Sequence, residues 1–270
     1  MIEVDGLTKL YGDFAAVTGL SFTVQPGELL GLVGPNGAGK TTTLRSLAGI
    51  IPATRGTVRI AGHDLVTEPV AAKQQLAFFS DEPRLFDYLT IRQHLDFTAR
   101  LYQVQDAPAR YAKLLEELEL TSKADQLPGD LSRGMKQKVQ IACGLLHSPR
   151  VVFFDEPLTG LDPLAIRRMK DTIRRLAAEG AAIVLSSHLL HLVEELCTRI
   201  LVLKGGFKVA HGTVNEIRAQ FAADDAGADL EEVFIRIATG TGSATPPPPP
   251  STPPPPPIPP MPPPPPVAGA

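Results

Sequence analysis

Gly34-Pro35-Asn36-Gly37-Ala38-Gly39-Lys40-Thr41-Thr42 decides how the rest of the chain is read. An apolar run with Leu29, Leu30, Leu32 and Val33 precedes it, and a helical pattern with Leu44, Leu47 and Ala48 on one stripe follows. Strand, glycine-rich loop and helix is the setting in which G-x-x-x-x-G-K-[ST] cradles phosphate. Without side chains, Gly34, Gly37 and Gly39 let the loop curl until several backbone N–H groups point at one centre. The helix starting near Lys40 adds the positive end of its dipole and its unpaired N–H groups. Lys40 supplies a movable charge for the β- and γ-phosphates, and the Thr41 hydroxyl is placed to ligand Mg2+.

Upstream of the loop, Ile2, Val4, Leu20, Phe22 and Val24 alternate with polar residues before a Pro26-Gly27 turn, which predicts a small antiparallel sheet with Tyr11-Gly12 in a turn. Downstream, Thr57–Ile60 reads as a further strand, residues 64–75 as a loop with a short helix, and Leu76–Phe79 as a strand closed by Ser80-Asp81-Glu82-Pro83. From about 84 to 148 the pattern turns helical. Ile91, Leu95, Thr98 and Tyr102 form one stripe, Leu114, Leu115 and Leu118 another, and Val139, Ala142, Cys143 and Leu146 a third. Then the α/β rhythm returns: a buried strand at Val151–Phe154, a helix over 163–179, and a strand at Ile183–Leu185. A short helix over 189–197 and a hairpin turning at Gly205-Gly206 follow. A last amphipathic helix is expected through Leu230, Val233, Phe234 and Ile237.

The strand at Val151–Phe154 runs into Asp155-Glu156-Pro157, and open α/β sheets bind ligands where strands end. Asp155 is expected to hold Mg2+ through its water shell, and Glu156, one residue on and facing the other way, suits a general base for an attacking water. His188 follows the strand Ile183–Ser187, where it could polarise the γ-phosphate or hold that water. The other five histidines have no such placement.

At Leu131-Ser132-Arg133-Gly134-Met135, just before a helix, the chain resembles the ATP-binding cassette (ABC) ATPases, whose LSGGQ motif occupies this place. The resemblance runs from Ile2 to about Ala238 with its motifs in order. It implies an α/β fold, the P-loop NTPase type with a RecA-like core, a small antiparallel β subdomain and a helical subdomain inserted at about 84–148. The cassette would span 1–238. It further implies that Tyr11 stacks on adenine, that Gly34–Thr42 is the Walker A loop, and that Asp155-Glu156 is Walker B with the catalytic glutamate. Leu161-Asp162 matches the D-loop and His188 the switch histidine. The cofactors implied are ATP and Mg2+. Ser132 and Gly134 would meet ATP held by a second cassette, a copy or a paralogue, docked head to tail.

Two positions depart from the commonest family pattern. Asp81 stands where the family has the Q-loop glutamine and is carried as a candidate Mg2+ ligand, while Arg133 and Met135 replace a glycine and the glutamine of LSGGQ. The form Leu131–Lys138 and the ending Asp229–Phe234 resemble the branch that powers ABC-2-type exporters of drugs and sodium. The resemblance implies a separate integral-membrane permease, docked beside the apolar cluster Pro83, Leu85, Phe86, Tyr88 and Leu89. The alternative is a soluble ABC ATPase acting on ribosomes or nucleic acid. Such chains usually carry two cassettes or a long coiled-coil insertion, which this one does not show.

The bulk numbers set the outer limits. The net charge of −3 gives no reason to expect a nucleic-acid partner, and 43% hydrophobic residues can build a sizeable core. Cys143 and Cys197, without metal-ligand spacing, read as buried free thiols in a reducing compartment. Met1 leads directly into Ile2-Glu3-Val4, so no signal peptide is expected, and no apolar run approaches the ~18 residues that span a bilayer. The expected location is cytoplasmic, peripheral on the inner face of the cell membrane. Residues 239–270 form a proline-rich tail holding 17 of the 27 prolines, read as a solvated polyproline II spacer of about 65 Å.

Overall fold

In the computed structural model the described residues are 1–159 and 163–221. Asp162, the expected helix through Leu230 and Ile237, the cassette boundary at 238 and the proline-rich tail lie outside them. Within them the chain runs β1 (Ile2–Tyr11), β2 (Phe14–Val24), β3 (Leu29–Val33), α1 (Lys40–Leu47), β4 (Arg55–Ile60), β5 (His63–Asp64), α2 (Pro69–Gln74) and β6 (Leu76–Phe79). Three helices follow: α3 (Ile91–Leu101), α4 (Ala107–Glu117) and α5 (Arg133–Leu145). The rest is β7 (Val151–Asp155), α6 (Pro163–Ala178), β8 (Ala182–Ser186), α7 (Leu190–Leu196), β9 (Arg199–Lys204), β10 (Phe207–Gly212) and α8 (Val214–Phe221).

The strands form two sheets. The small one is antiparallel in the order β2-β1-β4-β5, and the larger runs β10-β9-β3-β8-β7-β6. In the larger sheet β9, β3, β8, β7 and β6 are mutually parallel, and β10 turns back against β9. Parallel strands are covered on both faces, which is why β7 reads as an unbroken apolar run. Alternate side chains of a strand point to opposite faces. Val151 and Phe153 pack with Leu44 and Leu47 of α1 and with Ile2 and Val4 of the small sheet. Val152 and Phe154 pack with Met169 and Ile173 of α6 and Val193 of α7. The α/β reading with an antiparallel β subdomain and an inserted helical segment describes this architecture.

The three inserted helices enclose their own core of Ile91, Leu95, Ala99, Leu115, Val139, Ala142 and Leu146. The buried stripe of α3 is Ile91, His94, Leu95 and Ala99, so it passes beside the expected Thr98 and Tyr102, which are half-buried. Tyr102 instead stacks on His147, ring centroids 3.9 Å apart. Thr90 starts α3 with a reciprocal cap: its hydroxyl accepts from the Gln93 N–H at 3.2 Å, and the Gln93 side chain accepts from the Thr90 N–H at 2.8 Å. Removing the capping oxygen in Thr90→Ala is expected to cost about 1 kcal/mol, read as a lower urea midpoint at unchanged slope. Both cysteines are free, with Cys197 buried and Cys143 partly so. Burial pushes the Cys143 thiol up to about 11 and raises that of Cys197 as well. Neither is a reactive thiolate near neutral pH.

Candidate functional site

Strand order brings the motifs together. Because β3, β8, β7 and β6 are parallel neighbours, their C-terminal ends lie side by side. The glycine loop leaves β3, Ser186 ends β8, Asp155 ends β7, and Asp81 lies two residues past β6. Residues 187 and 188 continue from β8, which delivers His188 to the same edge.

The loop is shaped by its contacts as much as by its glycines. Gly39 sits at φ 101° as the N-cap of α1, and a Cβ there would come within 2.5 Å of the Ala16 carbonyl oxygen. A Cβ on Gly34 would meet the Leu203 carbonyl oxygen at 2.4 Å. Only glycine allows β2 and β9 to press the loop this closely. Lys40 is 8% exposed, and its Nζ donates to the carbonyl oxygens of Gly34 at 2.8 Å and Pro35 at 3.4 Å. Burial lowers its pKa, while the nearby carboxylates of Glu156 and Asp155 oppose that shift. The ammonium thus lies folded inside the curl, held by loop carbonyls and within electrostatic reach of both acids. Ala38 closes the loop from below through its carbonyl, which accepts from the Gly206 N–H at 3.1 Å.

Beneath the loop, Asp155 Oδ1 accepts from Thr41 Oγ1 at 3.1 Å and from Ser186 Oγ at 2.8 Å. A hydroxyl and a carboxylate oxygen thus converge where α1 begins. Among the described residues no group of three or more His, Cys, Asp or Glu side chains could hold a metal by itself. Two hard oxygen donors fit Mg2+, which takes one or two protein oxygens and completes its shell with water and phosphate.

Glu156 leaves the strand in a left-handed conformation, φ 51°, uncommon outside glycine. Its N–H donates to Ser186 Oγ at 3.0 Å, which ties the turn to β8. The turn carries the side chain toward His188. Glu156 Oε2 lies 2.8 Å from His188 Nδ1 and accepts from the His188 N–H at 3.3 Å. Facing a carboxylate, the imidazole carries its proton on Nδ1. Among the described residues, both contacts fall on Oε2 and none on Oε1.

The remaining sequence candidates sit around this centre. Tyr11 ends β1 opposite Phe14 at the tip of the β1–β2 hairpin, half exposed, with Lys9 Nζ 5.0 Å from its ring centroid. Ser132 caps α5, accepting from the Met135 N–H at 3.3 Å, and Gly134 lies in the first turn. Asp81 Oδ1 accepts from Arg133 Nη2 at 2.9 Å, so a guanidinium engages this carboxylate. Asp162 lies outside the described residues.

Two site residues escaped the sequence reading. Ser186 looks like any polar residue at a strand end, and only the β7–β8 pairing sets it on Asp155. Gln137, 7% exposed, donates from Nε2 to the Pro157 carbonyl at 2.6 Å, which joins α5 to the residue after Glu156. Its place on the core-facing side of α5 was the available signal.

A parallel-sheet α/β fold whose glycine loop, helix N-terminus, buried lysine and strand-end acids converge on one edge defines a P-loop nucleotide-binding protein. The comparisons narrow the class. The family described as "ABC transporter" matches residues 17–159. The chain is 34% identical over 231 residues to the "ABC-type transporter ATP-binding protein EcsA" of Bacillus subtilis (strain 168), covering 85% of this chain and 94% of that one. It is 39% identical over 235 residues to the "Nod factor export ATP-binding protein I" of Paraburkholderia xenovorans (strain LB400), covering 86% and 76%. A solved "ATP binding subunit of ABC transporter" superposes with a TM-score of 0.82 at 35% identity, covering 88% of this chain and 99% of the other. The ATP-binding cassette MJ0796, solved as a dimer in a post-hydrolysis state bound to ADP and Pi, has a TM-score of 0.73 at 23% identity over 79% and 98% of the two chains, which shows the shared fold. The chain belongs to the ABC transporter family, as an ATP-binding, ATP-hydrolysing subunit.

Proposed function

We propose that this subunit powers export, with two cassettes closing around two ATP molecules and driving a separate membrane permease. The observation that carries the catalytic part is the pairing of Glu156 with His188 beside the Thr41–Asp155–Ser186 cluster. The glycine loop and the α1 N-terminus bind the phosphates, and Lys40 turns from the Gly34 and Pro35 carbonyls onto the β- and γ-phosphate oxygens. Thr41 Oγ1 and Asp155 would hold Mg2+, which supplies charge neutralisation to the triphosphate. Glu156 Oε1 takes a proton from the attacking water, while His188 Nδ1–H and N–H hold Oε2. Tyr11, exposed at its hairpin tip, stacks on the adenine. Ser132 and Gly134, at the head of α5, contact the ATP of the second cassette, and Asp162 belongs to the same interface. No nucleic acid is needed.

Ser186→Ala would remove one of the two hydroxyls on Asp155 Oδ1. By the usual cost of losing a partner of a metal ligand, the affinity for Mg2+–ATP is expected to fall about tenfold, measured by nucleotide titration with and without Mg2+.

The relatives support the direction of transport, since one is named for Nod factor export. No helix among the described residues is long and apolar enough to cross a membrane, and the permease proposed here is a separate polypeptide. It would dock where Phe86, 57% exposed, and Tyr88, 91% exposed, stand out beside α3. The location proposed with it is peripheral, on the cytoplasmic face. Purification of tagged protein from membranes in mild detergent tests this. A polytopic partner in equal amount, lost in a Phe86→Ser/Tyr88→Ser double variant, is expected. Recovery with ribosomes or nucleic acid instead would favour the soluble alternative.

A further inference from the structure

Arg133, Gln137 and Gln140 lie at i, i+4 and i+7 along α5 and so share one stripe. Each reaches across to the core. Gln137 holds the Pro157 carbonyl, Gln140 Nε2 donates to Ser80 Oγ at 3.1 Å, and Ser80 Oγ donates to the Glu82 carbonyl at 2.6 Å. Arg133 Nη2 holds Asp81 Oδ1 at 2.9 Å. Two of the three anchors therefore grip the segment leaving β6, and the third grips the turn after Glu156. Gln137 is buried, whereas the Arg133 and Asp81 side chains are 50% and 45% exposed. Their ion pair is the anchor that water and ions reach.

The charges explain why the two residues occur together. Arg133 is the first residue of α5, where a cation opposes the helix dipole, and an acid beside it restores the favourable sign. Asp81 alone would set an unpaired carboxylate beside a triphosphate site. Paired, the two are neutral. We propose that Asp81 and Arg133 act as one element, a tether that positions the head of α5 against the segment leaving β6, and that Asp81 works through Arg133 and not as a metal ligand. The inference deepens the proposed function and rests on it for its consequence: the head of α5 meets the second cassette's nucleotide, and the tether sets its angle.

Amide hydrogen exchange across residues 131–140 of the nucleotide-free full chain reads the tether directly. An exposed pair of this kind is expected to give about 2–5-fold faster exchange in Asp81→Asn or Arg133→Gln. The double variant should exchange no faster than either single one. Arg133→Lys should restore most of the protection. At about 1 M salt, where screening reaches about 3 Å, wild type should converge on the variants. The Mg2+ concentration for half-maximal ATP binding should stay at its wild-type value in Asp81→Asn. Unchanged exchange in both single variants, or effects that multiply in the double, would overturn the tether. A Mg2+ requirement raised about tenfold in Asp81→Asn alone would return Asp81 to the metal. Absence of an ATP-driven dimer would defeat the functional reading while leaving the exchange result standing.

Discussion

Glu156→Gln is expected to lower ATP turnover about 10²–10⁴-fold while leaving ATP binding near its wild-type strength, the range for loss of a general base. The substitution keeps size and shape. An amide oxygen can still accept from His188 Nδ1, now 2.8 Å from Oε2, so the pair and the left-handed turn that delivers it can persist. What the amide cannot do is take a proton from water. Binding rests on the loop, α1 and Lys40, none of which changes. Single-turnover hydrolysis and nucleotide titration on the same preparation separate the two quantities. Hydrolysis at the wild-type rate would place the base elsewhere.

Lys40→Ala is expected to act at the earlier step, weakening ATP binding about 10²–10⁴-fold. Charge-assisted hydrogen bonds contribute about 1.5–3 kcal/mol each, and the ammonium reaches two phosphates. Its loss also removes the cation whose charge Asp155 and Glu156 feel, which adds repulsion toward a triphosphate. Calorimetric titration with ATP checks the magnitude. Affinity within threefold of wild type would mean that backbone N–H groups alone carry the phosphates.

What the sequence made legible follows from how local each signal is. Gly34–Thr42 is contiguous and its context lies within twenty residues, so the loop, the strand before it and the helix after it could all be read at once. The Val151–Phe154 run carried its own length and burial. Pairings across the sheet were not legible, because the order β3-β8-β7-β6 is set by packing and not by any spacing. Ser186 therefore passed unnoticed, and Glu156 and His188 were seen as two candidates without their contact. Asp81 and Arg133, 52 positions apart, were each visible as a departure from the family pattern. Their pairing required the angle at which α5 lies over β6. The stripe of α3 missed for a smaller reason: both Thr98 and Ala99 suit a helical face, and the packing of α4 and α5 chose Ala99.

The central claim is that ATP joins two cassettes, and the mass of Glu156→Gln in solution tests it most directly. Light scattering behind size exclusion is expected to give the mass of one chain without nucleotide and twice that mass with ATP and Mg2+. Adding Lys40→Ala should return it to one. A protein that binds ATP and keeps the mass of a single chain at micromolar concentration would contradict the account.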